Sequence, residues 1–159
     1  LEDRIPVEKI RVLLIEDNRL LRESITTILH AQPDFQVIAR PESCDTLHKL
    51  KKPDVALLNF RLPIQNSLDL MVLIKKEFSE TKVIAMNVLP DEVDIIEIVK
   101  AGGSGFILRD ASTFNFINTI RKVIKGEKVL PPLLTNSLFS QIVNNAPIQL
   151  TSMFKRLYN

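Results

Sequence analysis

Residues 55–63 read Val55-Ala56-Leu57-Leu58-Asn59-Phe60-Arg61-Leu62-Pro63. Four apolar residues without polar alternation describe a strand covered on both faces, as the interior of a parallel sheet requires. Asn59 then places one polar side chain at the strand's carboxyl end, and Pro63 breaks the chain soon after. Open α/β sheets bind ligands and do chemistry at the carboxyl ends of their strands. An amide there is unexpected, because it hydrogen-bonds well but is a poor nucleophile and a poor magnesium ligand.

Working outward, runs of the same kind recur. Ile10–Ile15 (IRVLLI), Phe35–Ala39, Val55–Leu58, Val83–Met86 and Phe106–Leu108 predict five short strands. Between them the apolar spacing turns helical. Leu21, Ile25, Ile28 and Leu29 form one stripe, and Leu70, Met71, Ile74 and Phe78 a second. Val93, Ile96 and Val99 form a third, ended by Ala101-Gly102-Gly103. Phe116, Ile117, Ile120, Val123 and Ile124 share one side of a helix over 113–125, closed by Gly126. Residues 44–50 are a shorter, weaker helix candidate. Five β-α pairs predict one α/β doubly wound domain over residues 9–126, because right-handed crossovers bury both sheet faces. Asn136, Leu138, Phe139, Ile142 and Val143, after Pro131-Pro132, predict one further helix. Residues 127–159 are thus a C-terminal helix and linker.

Composition agrees. The 159 residues suit one domain with an appendage, and 45% hydrophobic with 25% charged residues suits a packed core. The net charge is +2, and residues 1–130 hold nineteen basic and nineteen acidic groups. The main body is therefore not a nucleic-acid surface. Cys44 stands alone, which rules out an internal disulfide framework and a cysteine zinc site. His30 and His48 lack metal-ligand spacing and read as solvated or satisfied. No run approaches the ~18 apolar residues of a membrane span, and no signal peptide opens the chain, so a cytoplasmic setting is expected. No Gly-rich phosphate loop or Ser-His-Asp set points to a cofactor protein or hydrolase.

Polar residues gather instead at the predicted strand ends. Glu16-Asp17 follow the first strand, Asn59 ends the third, Asn87 the fourth and Arg109-Asp110 the fifth. In a parallel sheet these ends share one edge, so these polar residues converge. A plainer reading is local: Asp17 or Asn18 caps the following helix, while Asn59 and Asn87 serve turns before Pro63 and Pro90. Capping accounts for one of these residues, not for the convergence.

The stretches RVLLIEDNRLLRESI (11–25), PDVALLNFRLP (53–63), AGGSGFILRDAS (101–112) and IRKVIKGEKVLPP (120–132) make residues 9–146 resemble a known family. That family is the receiver domain of bacterial response regulators, most closely the NarL/FixJ (LuxR) type. The resemblance implies a flavodoxin-like (βα)5 fold of strand order 2-1-3-4-5. Active receivers phosphorylate themselves on an aspartate ending the third strand. An acidic pair holds Mg²⁺, a Ser or Thr ends the fourth strand, and a Lys ends the fifth. Carried over, Glu16-Asp17 keep the acidic pair, while Asn59, Asn87 and Arg109 replace acceptor, hydroxyl and lysine. Ser67 stands where a turn glycine is usual, and Phe106 takes the switch-face aromatic position.

The resemblance therefore implies a non-enzymatic, atypical receiver of a transcriptional response regulator, independent of phosphorylation. Its Mg²⁺ site at Glu16 and Asp17 is expected to be weak or lost, Arg109 to pair with one of those acids, and no other cofactor is expected. Implied partners are a second copy or another regulator, docked through helical faces near 18–30, 113–125 or 91–108, with Phe114 a candidate anchor. Contact with a histidine kinase is also implied, and no membrane partner. DNA is reached only through a helix-turn-helix domain expected beyond Asn159. Two alternatives stand beside this reading: a small-ligand or anion sensor using the former pocket, and an Asn variant, natural or engineered, of a phosphorylated receiver.

Overall fold

The expected strands all form, and their limits follow packing more than hydrophobicity. The structure, a computed structural model, describes residues 8–39, 47, 49–60, 64–91 and 93–145. Its elements are β1 (Ile10–Ile15), α1 (Arg19–His30), β2 (Phe35–Ala39), β3 (Val55–Asn59), α2 (Ile64–Glu77), β4 (Lys82–Val88), α3 (Ile95–Lys100), β5 (Gly103–Leu108), α4 (Thr113–Ile124) and α5 (Pro132–Asn145). The strands form one parallel sheet of order β2-β1-β3-β4-β5.

All of β3 is buried, and its residues alternate between two cores. Ala56 and Leu58 join Met71, Ile74, Ile98 and Phe106 under α2 and α3. Val55 and Leu57 join Ile25, Leu29, Ile117 and Ile120 under α1 and α4. This two-sided burial is the physical reason for the uninterrupted apolar run.

Two strands extend beyond the expected limits. β5 starts at Gly103 rather than Phe106, because its glycines admit neighbours: a Cβ on Gly103 would lie 2.8 Å from Ile98 Cγ2, and one on Gly105 2.9 Å from Val123 Cγ2. A hydrophobic pattern cannot report such residues. β4 runs on to Val88, so Asn87 lies within it rather than at its end. Of the weak candidate at 44–50, residues 44–46 and 48 lie outside the described residues. Leu47 is buried in a short 3-10 turn.

The C-terminal helix packs back on the domain. Pro132 opens α5, the first-turn position where its missing N–H is least missed. Leu134 is fully buried and Leu138 packs on the same core, whereas Phe139 and Ile142 of the expected stripe stay exposed. Polar contacts fix the register. Gln141 Oε1 accepts from the Ile95 and Ile96 N–H groups (2.8 and 3.4 Å), its Nε2 donates to Val93 O (2.8 Å), and Ser137 Oγ donates to Pro90 O (3.1 Å). Ile95 and Ile96 open α3, and this side chain satisfies first-turn N–H groups that the helix itself cannot.

Candidate functional site

Strand direction brings Glu16, Asn59, Asn87 and Arg109 together at the carboxyl edge of the sheet. β1 runs into Glu16, which is 4% exposed, and β3 ends at Asn59, 7% exposed. Asp17 is exposed and precedes the helix entry, where Asn18 is the cap: Asn18 Oδ1 accepts from Leu21 N at 3.0 Å.

The four side chains form one hydrogen-bonded file. Arg109 Nε donates to Asn87 Oδ1 (3.0 Å), and Asn87 Nδ2 donates to Asn59 Oδ1 (3.1 Å). Asn59 Nδ2 in turn donates to Glu16 Oε2. The direction is fixed by its ends. A guanidinium can only donate and an ionised carboxylate can only accept, so each amide between them must present oxygen toward Arg109 and nitrogen toward Glu16. An amide is the side chain that does both.

Backbone geometry makes the file reachable. Asn87 has φ of 62°, the left-handed region that asparagine tolerates better than most residues. The β4–β5 register shifts between Ala85 and Val88, so Asn87 leaves the ladder and its side chain swings toward Asn59. Neighbouring strands resume pairing around it through Phe60 N to Met86 O and Arg109 N to Val88 O.

Glu16 has further support that its sequence context did not announce. Asn18 N donates to its Oε1 at 2.9 Å, and Arg22 Nη1 donates to its carbonyl at 3.0 Å. The Arg22 contact arises because α1 begins immediately, placing residue 22 one turn inside it. The expected ion pair of Arg109 with Glu16 or Asp17 is not formed among the described residues, because Asn87 and Asn59 stand between the guanidinium and Glu16.

The arrangement does not fit a magnesium ion. Both Glu16 carboxylate oxygens face N–H donors, and Asn59 turns nitrogen rather than oxygen to the space between them. Among the described residues no group of three His, Cys, Asp or Glu side chains could hold a metal.

Two other expected residues lie elsewhere. Phe106 is buried in the same core cluster as Leu134, while Phe114 at the start of α4 is 75% exposed. A cleft of about 160 Å³ opens beside the file, walled by Leu21, Ile25, Ile28 and Phe116 and edged by Asn87 and Arg109. Among the described residues, no helix is long and apolar enough to cross a membrane.

Residues 12–121 match the family model of the response regulator receiver domain. The transcriptional regulatory protein DegU of Brevibacillus brevis is 25% identical over 144 residues, which cover 89% of this chain and 61% of that protein. Response regulator GacA of Pseudomonas viridiflava is 29% identical over 150 residues, covering 90% and 70%. This chain spans 61% of the length of DegU and also of the transcriptional regulatory protein LnrK of Bacillus subtilis. In fold, it is similar to a LuxR-family two-component response regulator from Aurantimonas sp. SI85-9A1, with TM-score 0.72 at 16% identity, covering 86% of this chain and 99% of the other. The signal receiver domain of the response regulator NarL from Mycobacterium tuberculosis gives TM-score 0.62 at 25% identity, covering 76% and 99%.

Proposed function

This chain belongs to the response regulator receiver domain family, and we propose that it is a degenerate member that signals through protein contacts instead of a phosphoryl group. The observation that carries this reading is the file from Arg109 through Asn87 and Asn59 to Glu16. On this reading the file occupies the family's phosphorylation pocket, with two neutral amides joining its charged ends. Phosphoryl capture needs a nucleophile, and the nitrogen of an amide has its lone pair delocalised into the carbonyl. A magnesium ion would have to displace N–H donors from Glu16 before binding, with no third carboxylate to repay the exchange.

Asn59, Asn87 and Arg109 depart from the family at three separate chemical roles. They also bond to one another, which supports a pocket rebuilt as a unit over a single blocked residue. Contact with a second copy or another regulator supplies the signal in this reading, and the exposed Leu20 and Phe114 on α1 and α4 are its anchors. Control of DNA belongs to a further domain, in keeping with the transcriptional regulators that this chain only partly spans.

The test is intact-mass spectrometry after acetyl phosphate or phosphoramidate with millimolar Mg²⁺. The expected result is no phosphoryl adduct. A stable, acid-labile adduct mapping to this pocket refutes the proposal.

A further inference from the structure

At the opposite, amino-terminal edge of the sheet, three lysines from three segments line one pocket of about 370 Å³. Lys75 comes from the last turn of α2, Lys82 opens β4, and Lys128 follows α4. No carboxylate lines this pocket, and among the described residues none of the three ammonium groups has an acidic partner.

Their positions are built rather than splayed. Lys75 Nζ donates to the carbonyls of Ser79 and Thr81 (2.8 and 2.9 Å), and Lys128 Nζ donates to Ser104 Oγ (3.3 Å). Gly102 has φ of 106°, and a Cβ there would lie 2.8 Å from Lys75 Cγ, so the lysine stem rests on bare backbone. Burial, then the charges of Lys82 and Lys128, hold the Lys75 ammonium below the usual lysine range. Lys75 therefore feels both of the other charges across the pocket.

Like charges gathered without a counter-charge repel, and a multivalent oxyanion relieves that repulsion. Phosphate offers several acceptor oxygens to ammonium donors and a hydroxyl, which is the set present here. Ile95, Val99 and Leu130 add an apolar wall, suited to an organic group on the same ligand.

We propose that this pocket binds a small phosphate monoester, its phosphoryl oxygens on Lys75, Lys82, Lys128 and Ser104 and its organic group against Ile95 and Val99. Leu138 of α5 also lines the pocket, so an occupant touches the C-terminal helix directly. The site is built from other residues than the pocket at Asn59 and lies at the other end of the strands, so the two readings fail separately.

Phenyl phosphate and inorganic phosphate, titrated at fixed ionic strength and followed by amide ¹H–¹⁵N spectra, test this. The expected result is saturable shifts at Gly102, Gly103, Ser104 and Lys128, with phenyl phosphate the tighter ligand. Lys82→Gln and Lys128→Gln should each weaken binding about tenfold or more, as loss of a charged hydrogen bond predicts. Lys82→Arg should retain most of it, and the same spectra verify that each variant is folded. Shifts that chloride reproduces, or that survive the double Gln substitution, overturn the proposal. Equal affinity for the two probes overturns the organic part of the assignment.

Discussion

Asn59→Asp places a carboxylate where the proposed reading puts the family's acceptor, and the hydrogen bonds around it say the change should destabilise this chain. The substitution removes the Nδ2–H that Asn59 donates to Glu16 and sets a carboxylate against a carboxylate, both almost completely buried. Losing a hydrogen bond to a charged acceptor costs about 1.5–3 kcal/mol. Two unit charges near 4 Å repel by about 4 kcal/mol at an effective dielectric of 20. Proton uptake limits that second cost, since keeping one ordinary carboxyl neutral at pH 7 takes about 4 kcal/mol. Asn87 can still donate to the new carboxylate, so part of the file survives. The net expectation is a loss of about 3–5 kcal/mol at pH 7, or roughly 10 °C in melting temperature for a domain of this size.

The pH dependence has a definite sign. In the variant the coupled pair holds its proton more tightly when folded, so its folded titration range is raised above the unfolded one. The destabilisation is complete above that raised range and fades as pH falls toward about 4, where the unfolded carboxyls also protonate. Magnesium should restore part of the loss, because it can bridge the new carboxylate and Glu16. The assay is thermal and urea denaturation at pH 7 and pH 5, with and without Mg²⁺, alongside mass spectrometry after phosphodonor treatment. The expected phosphorylation is slow or absent. A variant as stable as the parent at pH 7 without Mg²⁺ refutes the energetic argument. Rapid stoichiometric phosphorylation shows that Asn59 alone silences the pocket.

Three further perturbations probe separate parts of the structure. Asn87→Ala should cost about 2–4 kcal/mol from two lost hydrogen bonds and a left-handed backbone, and Asn87→Gly about 1 kcal/mol less. Equal urea midpoints for the two variants would contradict the strained conformation. Arg121 holds the Asp34 carboxyl below the usual carboxylate range through bonds of 3.0 and 2.9 Å, and lies over Phe35. Discounted for its partial exposure, Arg121→Gln should cost about 1 kcal/mol at pH 7. That difference should shrink as pH falls through the lowered Asp34 range, and a gap unchanged in acid counts against it. Gln141→Ala should cost about 1–2 kcal/mol and speed amide exchange at Ile95 and Ile96; unaltered exchange there would mean that α3 does not depend on α5.

The sheet was legible because burial on both faces leaves a signature in every strand, and Val55–Leu58 carried it most plainly. The converging edge was legible too, since parallel strands deliver their carboxyl ends together. What could not be read was the file itself. Nothing local marks Asn87 as left-handed, because the register shift that turns it depends on how β5 pairs with β4. The glycines of β5 were silent because their role is to leave room. In α5, Phe139 and Ile142 looked like the buried face because they are the larger apolar residues. Leu134, Leu138 and Gln141 share the packed side at helical spacing, and the polar third member hid the stripe.

A receiver switches when a covalent charge favours one conformation over another, and a file of neutral amides between Arg109 and Glu16 offers no such charge. On the proposed reading, a change of state comes from binding free energy that differs between states. Reversing a population from 1:99 to 99:1 needs about 5.5 kcal/mol of differential affinity. The path available for it is short. Asn87 lies within β4, one residue before its last, and Pro90 and Val93, in the loop that follows the strand, accept hydrogen bonds from Ser137 and Gln141 of α5. An occupant that favours one placement of α5 therefore acts on the loop that continues from the strand holding Asn87. The reverse holds by the same linkage: a substitution that breaks the amide file should change the affinity of any ligand bound against α5.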